Sequence, residues 1–228
     1  MKQVTIFASC ILIMCQLNAQ DYKVGDHELL IMPTAYTMEA GDSYLTDYEL
    51  FFLNYTYAVT SSTHLGIFTL FPITSDFLKT ITFGLKQKYI DGDFINAALW
   101  SSYTPKVSGF TGGTVFSFGS ASHGFHAGVG VASTFEDPDD ESDQSSTDKW
   151  EFLFLAGYSI DLSQKIALLV EYTNAESGLE NDFNGLISFG IRFKGESISW
   201  DLAGIRPLQG TGDADLVLFP LLKATFLF

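Results

Sequence analysis

Residues 185–193 of the sequence read GLISFGIRF, and residues 198–202 read ISWDL. In both stretches, apolar side chains alternate with polar or small ones. Successive side chains of a β-strand point to opposite faces of the sheet, so each stretch has one apolar face and one face that carries polar groups such as Arg192 and Asp201. Two segments of this kind, joined by a short turn at 195–196, predict a pair of adjacent antiparallel strands.

The same period of two recurs along the chain and predicts an all-β fold of about twelve strands. Most segments are close to the roughly 9 to 11 residues with which a tilted strand crosses a bilayer. The least regular segment contains Pro33, which cannot donate to a strand ladder, and ten strands remain if this segment runs along a rim and two neighbours merge. The predicted segments are residues 28–36, 44–58, 63–72, 80–89, 93–104, 109–118, 123–135, 149–160, 165–174, 184–194, 197–205 and 217–228.

The connections between these segments alternate in length, and only residues 105–108 are shorter than the alternation requires. Closed antiparallel barrels that cross a membrane have short turns at one end and longer loops at the other. The pattern therefore predicts a closed, antiparallel, up-and-down transmembrane β-barrel with its long loops outside. The short connections are 59–62, 90–92, 119–122, 161–164 and 195–196, and the long ones are 37–43, 73–79, 136–148, 175–183 and 206–216.

The first twenty residues have the layout of a secretory signal peptide. Lys2 provides a positive start, residues 4–17 form an apolar run too short for a membrane-spanning helix, and the small residue Ala19 suits cleavage. We expect residues 1–20 to be removed and residues 21–228 to form one barrel domain. Both cysteines of the chain lie in the removed part, so we expect neither a disulfide nor a thiolate metal site.

The sequence ends with residues 222–228, which read LKATFLF. This end resembles the terminal strand of outer-membrane β-barrel proteins, in which alternating apolar residues and a final aromatic residue are recognised by the assembly machinery. The resemblance implies that Phe226 and Phe228 form an assembly signal, that the protein resides in the outer membrane, and that its partners are lipids and the general barrel-assembly machinery. It concerns architecture and end signals and implies no substrate. The alternative is an ordinary apolar last strand.

Composition excludes several classes of function. The chain has 12 basic and 27 acidic side chains and a net charge of −15, which disfavours nucleic acid as a partner. Many of the acids lie in residues 136–148, which we expect to be a solvated loop; loose binding of Ca²⁺ there is the alternative. His123 and His126 are three residues apart, hence on opposite strand faces, and no nucleophile or phosphate-loop motif occurs. We therefore expect no enzyme activity, no metal site and no cofactor.

Charged side chains of both signs fall on the predicted inward faces of the barrel. They either pair across the lumen and fill it, or line a narrow wet path. The first hypothesis is a passive pore or transport-type barrel for small polar solutes. The second is a closed structural or surface-interaction barrel that presents residues 136–148 outside, and the third is a secreted soluble ligand-binding barrel with inverted faces. The candidate lumen residues are Glu49, Lys86, Lys88, Glu171, Arg192, Asp201 and Lys223.

Overall fold

A computed structural model describes residues 24–71, 75–134, 149–174, 185–208 and 218–228. Twelve antiparallel strands form one closed barrel, in which each strand pairs with its sequence neighbours and the first pairs with the last. Within the described ranges, no helix is long and apolar enough to cross a membrane. The strands are β1 (Ser43–Tyr48), β2 (Phe52–Thr60), β3 (Thr63–Leu70), β4 (Thr82–Asp91), β5 (Ile95–Thr104), β6 (Gly109–Ser120), β7 (His123–Thr134), β8 (Lys149–Ser163), β9 (Ile166–Thr173), β10 (Leu186–Lys194), β11 (Ile198–Pro207) and β12 (Phe219–Leu227).

The predicted number of strands is confirmed, but two errors in the predicted segments cancel. Residues 44–58 form not one strand but the hairpin of β1 and β2, with Glu49 and Leu50 at its turn. Both turn residues have positive φ, 57° and 63°, a conformation that Gly or Asn normally occupies in tight hairpins. The sequence lacks that signal, so the turn was missed. Residues 28–36, in contrast, form no strand of the barrel.

The barrel is apolar outside, and its buried charged side chains lie on the inward faces of the strands. On β10, Phe189 and Ile191 face outward and are 49% and 40% exposed, whereas Ser188 and Arg192 face inward and are buried. Phe193 continues the outward row. This confirms the alternation that predicted the strand and is the opposite of the arrangement that a soluble barrel with an apolar interior requires.

The connections sort by length between the two ends of the barrel. All five turns at one end, which we call the short-turn rim, are two or three residues long, at 61–62, 92–94, 121–122, 164–165 and 195–197. The opposite end, the long-loop rim, carries the connections after β3, β7, β9 and β11 as predicted, together with the short ones after β1 and β5. The acidic residues 136–148, which we expect to form a solvated loop, lie outside the described residues.

Residues 37–43 do not form a long loop at the long-loop rim, so that prediction is wrong. The hydroxyl of Thr37 donates to the carbonyl of Ser61 in the turn between β2 and β3 (2.7 Å), which lies at the short-turn rim. The segment follows a stretch of chain inside the barrel and leads it to the start of β1. The prediction of a loop at 37–43 depended on a wall strand at 28–36, and no barrel strand forms there.

Candidate functional site

Residues 24–38 lie inside the barrel and form a compact loop that we call the plug. The amide of Leu29 donates to the carbonyl of Met32 (2.8 Å), and the amide of Thr34 donates to the carbonyl of His27 (3.0 Å). These bonds fold the chain back on itself, so that residues 29–32 form the tip. Pro33 needs no donor partner in such a loop, which explains why the proline is tolerated here.

Both ends of the plug leave the barrel at the short-turn rim. Near its start, Asp26 lies 3.6 Å from the ammonium group of Lys194, the last residue of β10. Near its end, Thr37 contacts the turn after β2, as described above. The plug therefore enters the barrel from the short-turn rim, turns at its tip, and returns to the same rim.

Glu171 of β9 holds the tip through three backbone amides. Its carboxylate accepts hydrogen bonds from the amides of Leu30, Ile31 and Met32, each at 3.0 Å to the same oxygen. Glu171 is only 4% exposed, so these amides take the place of the water that a carboxylate normally needs. Successive amides that converge on one anion form a strong and geometrically specific contact.

Two cations of the barrel wall bind the carbonyl groups of the plug. The guanidinium of Arg192 donates to the carbonyls of Gly25, Glu28 (3.1 Å) and Leu29 (2.7 Å). The ammonium of Lys223 on β12 also donates to the carbonyl of Leu29 (2.7 Å). Both cations are buried. The two cations bind carbonyl oxygens, and the Glu171 carboxylate binds amide groups. Each charge on the wall therefore contacts backbone groups of the plug whose partial charge is opposite to its own.

A third cation, Lys86 of β4, binds the other side of the plug. Its ammonium donates to the carbonyls of His27 (3.0 Å) and Tyr36 (2.6 Å), and so joins the incoming and outgoing arms. Burial lowers the pKa of His27 to about 4, so the imidazole is neutral at pH 7. A neutral ring adds no further repulsive charge near Lys86 and Lys223.

Ion pairs balance the charge of these cations. Arg192 and Asp201 on the neighbouring strand form two bonds of 2.7 and 2.8 Å, and Lys223 lies 3.3 Å from Asp201 and 3.0 Å from Glu28. Tyr48 also donates to Glu28 (2.8 Å). Although burial opposes ionisation, Lys223 holds the pKa of Glu28 well below its usual range. The plug thus contributes a carboxylate to a network whose other members lie on the wall.

Several apolar side chains of the plug pack against the inner wall of the barrel. Four of them, at Leu29, Leu30, Met32 and Ala35, form one buried cluster with wall residues of β5, β6, β9 and β12. The wall residues are Ala98, Val115, Leu169 and Leu221, with Tyr48, Trp100, Leu155, Ala203 and Ile205 around them. The plug is therefore held by burial of apolar surface as well as by hydrogen bonds.

Gly157 provides the space that Leu29 occupies. A Cβ atom at Gly157 would lie 2.2 Å from Cδ1 of Leu29, far closer than van der Waals contact allows. We expect Gly157→Val to push the tip from its seat at a cost of roughly 1 to 3 kcal/mol, the usual cost of overpacking. Limited proteolysis of residues 24–38 in the folded barrel measures this loosening.

A double-mutant cycle with Leu29→Ala provides the control for this prediction. Truncation of the buried Leu29 loosens the plug by itself, but it also frees the space that a Cβ atom at position 157 needs. Gly157→Ala should therefore increase cleavage in the otherwise unaltered chain and have little further effect in the Leu29→Ala background. An equal effect of Gly157→Ala in both backgrounds would mean that Leu29 does not pack against Gly157.

The structure brings five of the seven predicted lumen residues together around the plug: Lys86, Glu171, Arg192, Asp201 and Lys223. Lys88 lies towards the short-turn rim, where it pairs with Asp91 (2.9 Å). Glu49 is not in the lumen. It sits in the turn between β1 and β2, where its amide donates to the carbonyl of Leu222 (2.9 Å) and its carboxylate accepts the amide of that residue. The unrecognised hairpin turn caused this error.

Three further residues that hold the plug were not among the site residues predicted from the sequence. The hydroxyl of Ser117 accepts the amide of Ala35 (2.8 Å) and lies 2.8 Å from the ring of His126. Nε2 of His64 accepts the amide of Met38 (3.0 Å). All three occupy inward positions of their strands, which is the signal that would have found them. Because Ser117 is fully buried and already bonded to the plug, we interpret it as structural.

The two phenylalanines of the predicted assembly signal lie where the barrel closes. Phe226 pairs with Leu45 of β1 and Ile198 of β11. Backbone bonds join Phe228 to Ser43 in both directions, at 2.8 and 3.1 Å. The last residues therefore complete the ladder between the first and last strands, and their role as a recognition signal stays a prediction.

No cluster of three or more potential metal ligands occurs in the part of the chain that the structure describes. The chain matches no known protein family, and no curated protein is significantly similar to it. Fold and site geometry are thus the basis for the functional proposal.

Proposed function

We propose that the protein is an outer-membrane β-barrel whose passage is closed by its own plug and which admits solutes only when the plug leaves. Membrane residence is supported by the apolar outer surface and by exposed aromatic side chains near both rims, such as Tyr103, Trp150 and Tyr89, because aromatic girdles mark the two interfaces of such barrels. In this arrangement, the lipids and the assembly machinery are the partners, and the protein performs no chemistry.

The plug is the single observation that supports a closed passage through the barrel. In an outer-membrane barrel the short-turn rim faces the periplasm, so both ends of the plug lie on the periplasmic side and a pull from there acts on it directly. The charged side chains that would line a narrow wet path in an open barrel bind the plug instead. A pore for small polar solutes therefore requires that residues 24–38 be displaced.

Conductance in planar bilayers tests this proposal. We expect the complete protein to be silent or to open rarely, and a form that lacks residues 24–36 to conduct steadily. Heat-modifiable migration in detergent gels establishes that the shortened form is folded. Gly157→Val, which keeps the whole chain, should give intermittent openings.

A folded but silent deletion form would contradict the transport proposal and favour the second hypothesis, a closed barrel that presents its surface loops. That hypothesis also has an observation in its favour, because Arg192, Asp201 and Lys223 form a complete network with the plug. Recovery of the protein as a soluble monomer without detergent would contradict both proposals.

A further inference from the structure

The plug divides the lumen into two parts of different chemistry. The charges described above lie level with the plug or between it and the short-turn rim. From the plug tip to Glu151 at the long-loop rim, the described inward-facing side chains of the wall are uncharged. We call this part of the lumen the chamber. Its larger inward side chains are Phe52, Phe68, Trp100, Leu153, Leu155 and Ile205.

Contacts establish that five of these six side chains face the lumen, and the buried Leu153 alternates with the exposed Phe152 and Phe154. Tyr48 reaches Glu28 of the plug and meets the ring of Phe68 edge-on at 6.5 Å. Phe52 stacks on Phe68 at 5.8 Å and is 39% exposed. Trp100, Leu155 and Ile205 pack against the apolar cluster of the plug. Aromatic and aliphatic groups thus line much of the chamber, alongside polar but uncharged inward residues such as Asn54, Ser102 and Thr111.

Ile31 forms the floor of the chamber. It lies at the tip of the plug, and its amide is bonded to the buried carboxylate of Glu171, yet the residue is 52% exposed. Its neighbours Leu30 and Met32 are almost completely buried. Ile31 therefore faces open space within the barrel, on the side of the long-loop rim. An aliphatic side chain in that position presents apolar surface to whatever enters from there.

We infer that the chamber binds a neutral apolar molecule, such as a chain alcohol, that enters from the long-loop rim. Such a molecule gains from contact with Ile31 and the aromatic wall in proportion to the apolar area removed from water. An ion or a strongly polar solute finds no charged partner between the tip and Glu151 and loses hydration. Apolar sites with concave walls and few polar groups are typical of small-molecule binding. The inference goes beyond the proposed function, since binding does not require the plug to move.

Gly84 of β4 offers a way to fill the chamber without disturbing the strand. It occupies an inward position between Thr82 and Lys86, and a Cβ atom there would come no closer than 3.8 Å to any neighbour, the carbonyl of Gly66. A leucine at this position therefore fits the backbone and projects into the chamber. Ile31→Glu changes the floor in a different way, because it adds a charge while the backbone bond to Glu171 remains available.

Tryptophan quenching by 12-bromododecanol in lipid nanodiscs tests the inference. One form keeps only Trp100, which faces the lumen, and a reference form keeps only Trp200, which faces outward and is 45% exposed. The other two tryptophans are replaced by phenylalanine in each form. We expect quenching of Trp100 to saturate at low probe content, whereas quenching of Trp200 should rise in proportion to the probe dissolved in the lipid.

Variants of the Trp100 form complete the test. Gly84→Leu and Ile31→Glu should each weaken saturable quenching by about tenfold or more, because one removes space and the other places a charge against the probe. Ile67→Ala, on the outer face beside Phe68, should leave it unchanged. The inference is overturned if Trp100 follows the linear course of Trp200, or if saturation persists unaltered in both lumen variants. Conductance of the form without the plug is a separate measurement, so failure of one proposal is distinguishable from failure of the other.

Discussion

In the Glu171→Gln variant, residues 24–38 become accessible to protease from the short-turn rim while the barrel stays folded. The carboxylate that now accepts the amides of Leu30, Ile31 and Met32 becomes a carboxamide with one neutral carbonyl oxygen and one NH₂ group, and the NH₂ group cannot accept a bond from an amide donor. Hydrogen bonds to a charged group contribute roughly 1.5 to 3 kcal/mol, about twice as much as neutral ones. We expect the docked plug to lose about 2 to 4 kcal/mol, which raises the population of undocked plug by roughly 30-fold or more.

Glu151→Gln is the matched control for this variant. Glu151 is an exposed carboxylate on β8 near the long-loop rim, so the same change of charge is made far from the plug tip. Protease should cleave this variant no faster than the unaltered protein. If Glu171→Gln protects residues 24–38 as well as the unaltered protein does, the tip is held by its apolar contacts, and the carboxylate contributes little.

The barrel wall was predictable because each strand carries its own local signal. In β10, the alternation of Phe189, Ile191 and Phe193 with Ser188 and Arg192 places one face outside and one inside, whatever the neighbouring strands do. Two strands joined by a turn as short as 195–197 can pair only as antiparallel neighbours. These signals are local in sequence, and the structure agrees with them to within a few residues at most strand ends.

The plug was not predictable in this way. Residues 28–36 contain enough apolar side chains to resemble a strand, and what makes them a plug is their contact with Glu171, Arg192 and Lys223, all more than 130 residues away. No periodic pattern of apolar and polar residues indicates contacts between positions so far apart in the sequence. The one local signal was Pro33, which identified the segment as the least regular predicted strand.

Five of the seven charged residues predicted for the lumen lie around the plug, but most of their partners could not be predicted. Arg192 and Asp201 occupy inward positions on adjacent strands and form a close pair, which is one of the two arrangements that the sequence left open. Lys86, by contrast, lies within hydrogen-bonding distance of two plug carbonyls. Every residue has a backbone carbonyl, so the sequence does not indicate which carbonyl a buried cation binds. Reasoning from side chains alone therefore pairs charges with charges and overlooks a peptide segment as the counterpart.

Removing Arg192 should produce the largest loss of stability in the molecule. In Arg192→Met, Asp201 loses two close bonds and keeps only Lys223 at 3.3 Å. Breaking a buried pair in this way typically costs 3 to 5 kcal/mol, because the remaining charge stays buried without adequate compensation. Urea unfolding, followed by heat-modifiable gel migration, measures the loss in the barrel. Replacing the exposed Asp91, partner of Lys88, should cost less than about 1 kcal/mol.

The double variant with Arg192→Met and Asp201→Leu separates the two roles of the guanidinium. Without Asp201 no carboxylate is left unpaired on the wall, and apolar replacements of buried pairs are often nearly neutral, so the barrel should recover much of its stability. The plug should not recover, because the bonds from Arg192 to the carbonyls of Gly25, Glu28 and Leu29 are still missing. A stable barrel with a protease-sensitive plug is thus the expected result. If protection of the plug returned together with barrel stability, Arg192 would act only as the partner of Asp201, and its bonds to the plug would contribute little to closure.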